Sequence, residues 1–398
     1  ITSSRNYQES SRILSRYREK CRVIPFGVDL ERFDAARKKI GEISSIRKRF
    51  GPFIVLFVGR FRYYKGLDVL VRAMQRVKGK LLLLGGGPME NDLREMVRRT
   101  GTEDRVFFLG ELSDYEVTTH LHACDIFVLP STFRSEAFGI VLLEAMACSR
   151  PVISTQLGTG TTYVNQDGKT GLVIPPHDAP ALAEAIDFLR MNPDMGRKMG
   201  EAGRERVESL FTVDRMVEEV LQVYRDVLSE GKGVPRLESK SCFSQAEDRS
   251  PPEKIRILRI ISRMNIGGPS LHVYYLTVGL SRDRFESRLA LGQVSAQEGS
   301  MEDLFSDTGM TLEKIAELRR EINFRRDLKA FFKILALILA FKPQIVHTHM
   351  SKAGYLGRTA VFLLRLFGRR RIVAVHTFHG NVFSGYFSRW KSRLFLVV

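Results

Sequence analysis

Apolar residues in this chain fall into short unbroken runs, and between the runs they recur every three or four positions. The runs FIVLFVG (53–59), KLLLLGGG (80–87), RVFFLG (105–110), DIFVLPS (125–131), PVIST (151–155) and GLVIPP (171–176) predict buried strands. The stretches between them, such as GLDVLVRAMQRV (66–77) and MENDLREMVRRTG (89–101), carry the helical period. Ser113 and Asp178 stand where helix N-caps belong, and Gly101 stands where a C-cap belongs. Continuous apolar strands alternating with helices predict a parallel sheet covered on both faces. Residues 1–228 therefore read as one doubly wound α/β domain closed by a C-terminal helix.

Residues 229–254 are polar and rich in Gly, Ser and Pro, and they read as a linker. The alternation then restarts. IRILRIIS, FESRLALG, QIVHTH and RIVAVHTFHG read as strands, with helical stretches between them. Residues 255–398 thus form a second α/β domain, and its last run, SRWKSRLFLVV, reads as a helix that leaves the domain truncated at its C-terminus. The expected fold is α/β, with two Rossmann-like doubly wound parallel-sheet domains.

Composition changes the picture in two respects. The four cysteines are scattered without a C-x-x-C pair, which points to a reducing compartment and away from a disulfide or zinc framework. The net charge is +17, and it is concentrated: from Lys254 onward 24 Lys/Arg face 10 Asp/Glu, an excess of 14. Such a field favours phosphate-bearing partners, whether nucleotide, anionic lipid or nucleic acid, although a solvated basic surface has the same composition. No nucleic-acid-binding motif accompanies the charge. The longest apolar run, ILALILAF (334–341), is too short to cross a bilayer.

In an open parallel sheet, ligands bind outside the carboxyl ends of the strands. After the first run come Arg60 and Lys65, a fork and a point charge that suit a diphosphate or are simply two surface cations. After the fourth run comes FRSEAFGIVLLEAM (133–146), with Glu136 in the loop and Glu144 inside a helix that starts near Gly139. That helix N-terminus offers N–H groups to an anion. Glu136 and Glu144 would then accept from hydroxyls on either side of it; capping by Glu136 and a solvated Glu144 would account for them equally well.

A family resemblance now becomes clear. VIPFGVDLERF, FVGRFRYYKGLDVLVRAM, LLLLGGGP, VFFLGELSDYE, ACDIFVLPSTFRSEAFGIVLLEAMAC and GKTGLVIPPHD resemble, in order, the C-terminal half of retaining GT-B glycosyltransferases (family 4, group 1 type). The spaced pair E-x7-E is that family's signature. The resemblance implies that Arg60 and Lys65 bind the donor diphosphate, and that Glu136, Ala137, Phe138 and Gly139 meet the donor sugar. It places Glu144 on the ribose and the Glu111–Leu112 loop, with Leu112, beside the base. STFRSEAFG resembles bacterial mannosyltransferases of polysaccharide assembly. Ser149 stands where glycine is usual, and a small backbone adjustment is expected there.

The second domain resembles the N-terminal, acceptor-side half of the same superfamily. Gly267 and Gly268 match its glycine turn beside the donor phosphate, and His379 matches a histidine at the reaction centre, so that His379 and Glu136 are the expected catalytic residues. His347 and His349 form an H-x-H, which is read as a strand-end pair rather than a metal site. The two halves stand in inverted order, which predicts either a fusion of neighbouring enzymes or a circular permutant, with the fusion favoured.

The expected activity is retaining transfer of a hexose, mannose first, from a nucleotide-diphosphate sugar (GDP-mannose or a UDP-sugar) to a glycan or lipid-linked acceptor. No cofactor and no metal are expected, since no D-x-D appears. The expected location is cytoplasmic, peripheral on an anionic membrane, with no nucleic acid partner. A phosphorylase or epimerase of the same architecture, and a fragment that binds nucleotide without turnover, are the competing expectations.

Overall fold

The computed structural model describes residues 1–11, 13–230, 254–295, 299–368 and 372–379. Most of the expected linker and the terminal SRWKSRLFLVV run lie outside these residues. The described chain forms two compact units. One comprises Ser3–Arg18 and Pro25–Val213; the other comprises Ile1–Thr2, Glu19–Ile24 and the chain from Asp214 onward.

The first unit is built on six strands: β1 (Ile54–Val58), β2 (Lys80–Leu84), β3 (Val106–Gly110), β4 (Ile126–Leu129), β5 (Val152–Thr155) and β6 (Gly171–Ile174). All pair in parallel, in the order β3-β2-β1-β4-β5-β6. From β1 the chain winds outward to β3, then returns and winds the other way from β4. The reversal leaves a crevice at the carboxyl ends of β1 and β4. Ile54, Val55, Leu56 and Phe57 are fully buried, as expected for a central strand covered on both faces. The cap expectations hold. Ser113 forms a reciprocal capping box with Glu116, the Asp178 side chain accepts from the Ala181 amide, and Gly101 takes a left-handed conformation.

The second unit carries β7 (Ile255–Ile261), β8 (Phe285–Gly292), β9 (Leu312–Ile315), β10 (Ile345–His349) and β11 (Val373–Thr377). These too are parallel, in the order β11-β10-β7-β8-β9, with the reversal between β7 and β10. Helices Phe324–Phe341 and Ser351–Leu366 pack on this sheet through Ala330, Ile334, Ile338, Ala353, Ala360 and Val361. Both expected doubly wound domains are present. β9 was not anticipated: it is four residues long, at the sheet edge, and carries Glu313 and Lys314 within it.

The unit division also departs from the expected boundary at residue 228. The helix Val213–Glu230, apart from its first residue, falls in the second unit, where Tyr224 donates or accepts a 2.6 Å hydrogen bond with His347.

Ser149 shows what replaces the usual glycine. Its φ is +56°, in the left-handed region, and its amide bonds the Met146 carbonyl at 2.9 Å as the preceding helix ends. The serine thus holds a conformation that costs a non-glycine residue roughly 1–2 kcal/mol. Ser149→Gly is expected to raise the unfolding free energy by about 1 kcal/mol, read as a higher urea midpoint at unchanged slope. A lower midpoint would show that the serine side chain matters more than its backbone strain.

Candidate functional site

The loops leaving β1 and β4 are stitched together across the crevice. The Thr132 amide donates to the Tyr64 carbonyl at 2.8 Å. Gly66, at φ +67°, lies so close to Pro130 that a Cβ would sit 2.0 Å from its carbonyl oxygen. Between these contacts the Lys65 ammonium meets Glu136 Oε2 at 2.6 Å, with only 13% and 11% of the two side chains exposed. Ser131 Oγ donates to the same oxygen at 3.1 Å. Burial alone would lower the Lys65 pKa, but the Glu136 carboxylate and Tyr64 together outweigh it and the net shift is upward. Lys65 is thus held charged, and it retains two further N–H donors for a ligand.

Glu136 ends a tight turn, its amide donating to the Phe133 carbonyl at 3.1 Å. The loop after β5 braces it: Thr159 Oγ1 donates to the Glu136 carbonyl at 2.8 Å, and the Gly160 amide to that of Ala137 at 2.7 Å. The Phe138 ring turns into the core against Phe26 and Phe211, so only its backbone faces outward chemistry. Gly139 caps the helix Ile140–Ala147 at φ +78°, where a side chain would crowd Leu129 and Leu142. The expected helix start is therefore found, with Glu136 before it and Glu144 more than a turn inside.

Glu144 is half-buried, and no protein donor bonds its carboxylate among the described residues. Burial raises its pKa; Arg32 counteracts this, and Asp114 adds to it. Arg60 lies half-buried in the loop after β1, and Leu112 lies in the loop after β3. The glycines at 85–87 serve the chain itself: a Cβ on Gly85 would meet the Gly59 carbonyl oxygen at 2.2 Å, and Phe61 donates its amide to Gly86.

One residue the sequence reading passed over is Arg134. It leaves the same loop two residues before Glu136, and its Nη1 approaches the position of Gly158. Its Nε and Nη2 are buried without a hydrogen-bond partner. A lone arginine in a basic chain gave no signal; the buried, unsatisfied fork appears only in the fold.

The remaining expected residues belong to the second unit. Gly267, at φ +152°, caps the helix Gly268–Val278. That helix carries His272, whose ring lies 5.2 Å from His379 and 5.7 Å from His349. His379 Nε2 and His349 Nδ1 are 3.0 Å apart and hydrogen-bonded. His347 is bonded at both nitrogens, by Tyr224 at 2.6 Å and Thr377 at 2.8 Å, so neither is left for a metal. Burial depresses the pKa of His272, His347, His349 and His376, and takes His379 down to about 3.

Two measurements check these electrostatics. Lys65→Ala or Glu136→Gln alone is expected to cost about 3–5 kcal/mol of stability, because each strands a buried group. The double variant should cost clearly less than the sum, and strict additivity in a urea double-mutant cycle would contradict the pairing. Since the Lys65 pKa is raised, this stabilisation is present below the ordinary lysine value of 10.5 and disappears only as pH rises through the raised one. The histidines act at the other end of the scale. They stay neutral in the fold while the unfolded chain protonates near 6.5, so stability should fall as pH drops below 6.5. A urea midpoint unchanged between about pH 7 and pH 5 would overturn that account.

Comparison with known proteins follows the same division. Residues 41–206 match the family model described as Glycosyl transferases group 1, and residues 266–397 match Glycosyltransferase Family 4, in that order along the chain. An O-antigen chain mannosyltransferase C of Escherichia coli is 41% identical over 228 residues, covering 57% of this chain and 60% of the relative. A D-rhamnosyltransferase (WbpZ) of Pseudomonas aeruginosa is 38% identical over 212 residues, covering 53% and 55%. The chain thus spans little more than half the length of these curated relatives. Among solved structures, a sucrose-phosphate synthase of Thermosynechococcus elongatus superposes with a TM-score of 0.50 at 32% identity, over 58% of each chain. Residues 41–206 are thus similar to the group 1 glycosyl transferases and residues 266–397 to Glycosyltransferase Family 4, and each stretch lies largely on one of the two parallel α/β units.

Proposed function

We propose that this chain provides the donor site of a retaining hexosyltransferase in polysaccharide synthesis, with mannose from a nucleotide-diphosphate sugar as the transferred unit. The observation that carries the reading is the crevice at β1 and β4. A held cation, a carboxylate with one oxygen unclaimed by protein donors, and a glycine-capped helix start all converge there. The mannosyl- and rhamnosyltransferase relatives favour a hexose or 6-deoxyhexose donor.

In this reading Arg60 and Lys65 receive the diphosphate, joined by the start of the helix Ile140–Ala147. Glu136 accepts a hydrogen bond from the sugar, and Glu144 accepts from the two ribose hydroxyls. Arg134, whose buried Nε and Nη2 have no protein partner, supplies a fork for the oxygen-rich sugar–phosphate end. Transfer breaks the bond between the anomeric carbon and the distal phosphate oxygen and forms one to the acceptor hydroxyl oxygen on the same face. The leaving diphosphate takes the electron pair, which the cations stabilise, and its departing oxygen accepts the proton that the acceptor hydroxyl loses.

The test is calorimetry on the full chain with GDP, UDP and GDP-mannose. Arg134→Gln is expected to weaken GDP-mannose binding roughly tenfold or more, the worth of a charge-assisted hydrogen bond. Glu144→Ala should weaken GDP or UDP itself. Because ribose hydroxyls bond the ionised Glu144, nucleotide affinity should fall as pH drops through the raised Glu144 pKa. Wild-type affinities in both variants would remove the donor assignment.

A further inference from the structure

Tyr63 and Phe133 leave about half of their large rings in solvent, at 53% and 47% exposure. A single exposed aromatic residue needs no explanation, but these rings are joined. Their centroids lie 5.5 Å apart, and Phe133 lies 5.4 Å from the exposed His177 ring, both contacts edge to face. Tyr63 also meets Tyr64 at 5.7 Å, and the Lys65 ammonium stands 5.5 Å from the centre of the Tyr64 ring. A row of touching rings thus leads from the Lys65–Glu136 pair out across the surface of the first unit.

Three loops supply the row: Tyr63 opens the turn Tyr63–Lys65 after β1, Phe133 follows β4, and His177 follows β6. All leave the carboxyl ends of their strands, the edge of the sheet that holds the crevice. In the strand order β3-β2-β1-β4-β5-β6 the row runs from β1 toward β6, away from the β3 loop that carries Leu112. Each ring has a fixed support. The Tyr64 carbonyl beside Tyr63 accepts the Thr132 amide at 2.8 Å, and the Phe133 carbonyl accepts the Glu136 amide at 3.1 Å. His177 sits between Pro176 and Asp178, the N-cap of the helix Ala179–Met191. With the edge-to-face contacts added, little side-chain freedom is left to lose when a ligand settles there.

The row is apolar in its ring faces and polar at its tips. The Tyr63 hydroxyl and the His177 imidazole have no hydrogen-bond partner in the protein among the described residues. An apolar protein face laid over them would bury those tips unsatisfied. A saccharide has the matching surface. A pyranose turns C–H groups outward on one face, which suit the negative face of an aromatic ring, and carries hydroxyls along its rim, which suit the tips.

We propose that Tyr63, Phe133 and His177 form a saccharide subsite, with a pyranose ring packed on Phe133 and its hydroxyls met by Tyr63 and His177. Its ligand is an oligosaccharide reaching beyond the transferred unit, the acceptor glycan of the proposed reaction. That last identification rests on the proposed function; the subsite itself does not.

The experiment is a saturation-transfer NMR titration of the full chain with linear mannotriose, alongside calorimetry with GDP and GDP-mannose. Mannotriose is expected to bind, with saturation strongest on the C–H protons of one ring face. Phe133→Leu keeps apolar bulk but removes the ring, and should weaken mannotriose by roughly three- to tenfold. Phe133→Tyr should keep wild-type affinity. The double variant Tyr63→Phe, His177→Ala removes only exposed groups and should weaken mannotriose by a comparable factor. GDP affinity should stay unchanged in all three, and circular dichroism reports whether each is folded. No mannotriose binding by the wild-type chain, or undiminished binding in folded Phe133→Leu or the folded double variant, would overturn the proposal. So would a loss of GDP affinity in folded Phe133→Leu, since the row would then stack on the base. Phe133-dependent mannotriose binding in a chain that takes neither GDP nor GDP-mannose would sustain the subsite and remove the donor reading instead.

Discussion

A buried ammonium and a buried carboxylate, 2.6 Å apart, tie together the two loops on either side of the strand reversal in the first unit. Much of the local architecture follows from keeping that contact. The loops must approach closely, so position 66 has no room for a side chain. The carboxylate must be presented at the start of a helix, so the turn from Phe133 to Gly139 is braced from behind by Thr159 and Gly160. Removing either charge would strand the other, because the desolvation of each is offset chiefly by its partner.

The second unit reaches a similar topology by a different internal chemistry. Its reversal lies between β7 and β10, and the carboxyl ends of β10 and β11 carry imidazoles rather than an ion pair. His347 and His349 follow the two-residue period of β10 and stack 4.2 Å apart. Such a group of neutral rings tolerates burial without a compensating charge, but only in one protonation state. The two units are therefore held by electrostatics of opposite pH sense: one is weakened by deprotonating a lysine, the other by protonating histidines.

How much of this was legible beforehand depends on how far each interaction reaches along the chain. Central strands covered on both faces, such as β1, β2, β4 and β5, write themselves as unbroken apolar runs, and the other anticipated strands still carry several apolar residues each. β9 could not be read this way, because a short edge strand that keeps Glu313 and Lys314 has no such run. The E-x7-E spacing located the helix start at Gly139, since glycine there answers a backbone demand that is local. Arg134 and the partners of His347 were invisible for the opposite reason. Tyr224 lies 123 residues away from His347, and an unsatisfied guanidinium is a property of surroundings, not of spacing. Ser149 was noticed as an oddity, but only the backbone shows that it sits in the left-handed region.

The helix Val213–Glu230 carries a consequence for the chain's topology. It buries Val217, Val220, Tyr224 and Leu228, and from Asp214 onward it belongs with strands that come later in the sequence. The opening residues do likewise, Thr2 bridging to both Val23 and Phe378. Covalent order and folding unit are thus out of phase: the chain enters the second unit three times and completes the first between visits. Cleaving the polypeptide anywhere in 231–253 would not release two finished domains. The N-terminal product would keep a helix whose apolar seam has lost its sheet, and the C-terminal product would keep a sheet whose His347 has lost Tyr224. Interlacing of this kind makes the two halves of the sequence interdependent in folding, whatever each contributes to chemistry.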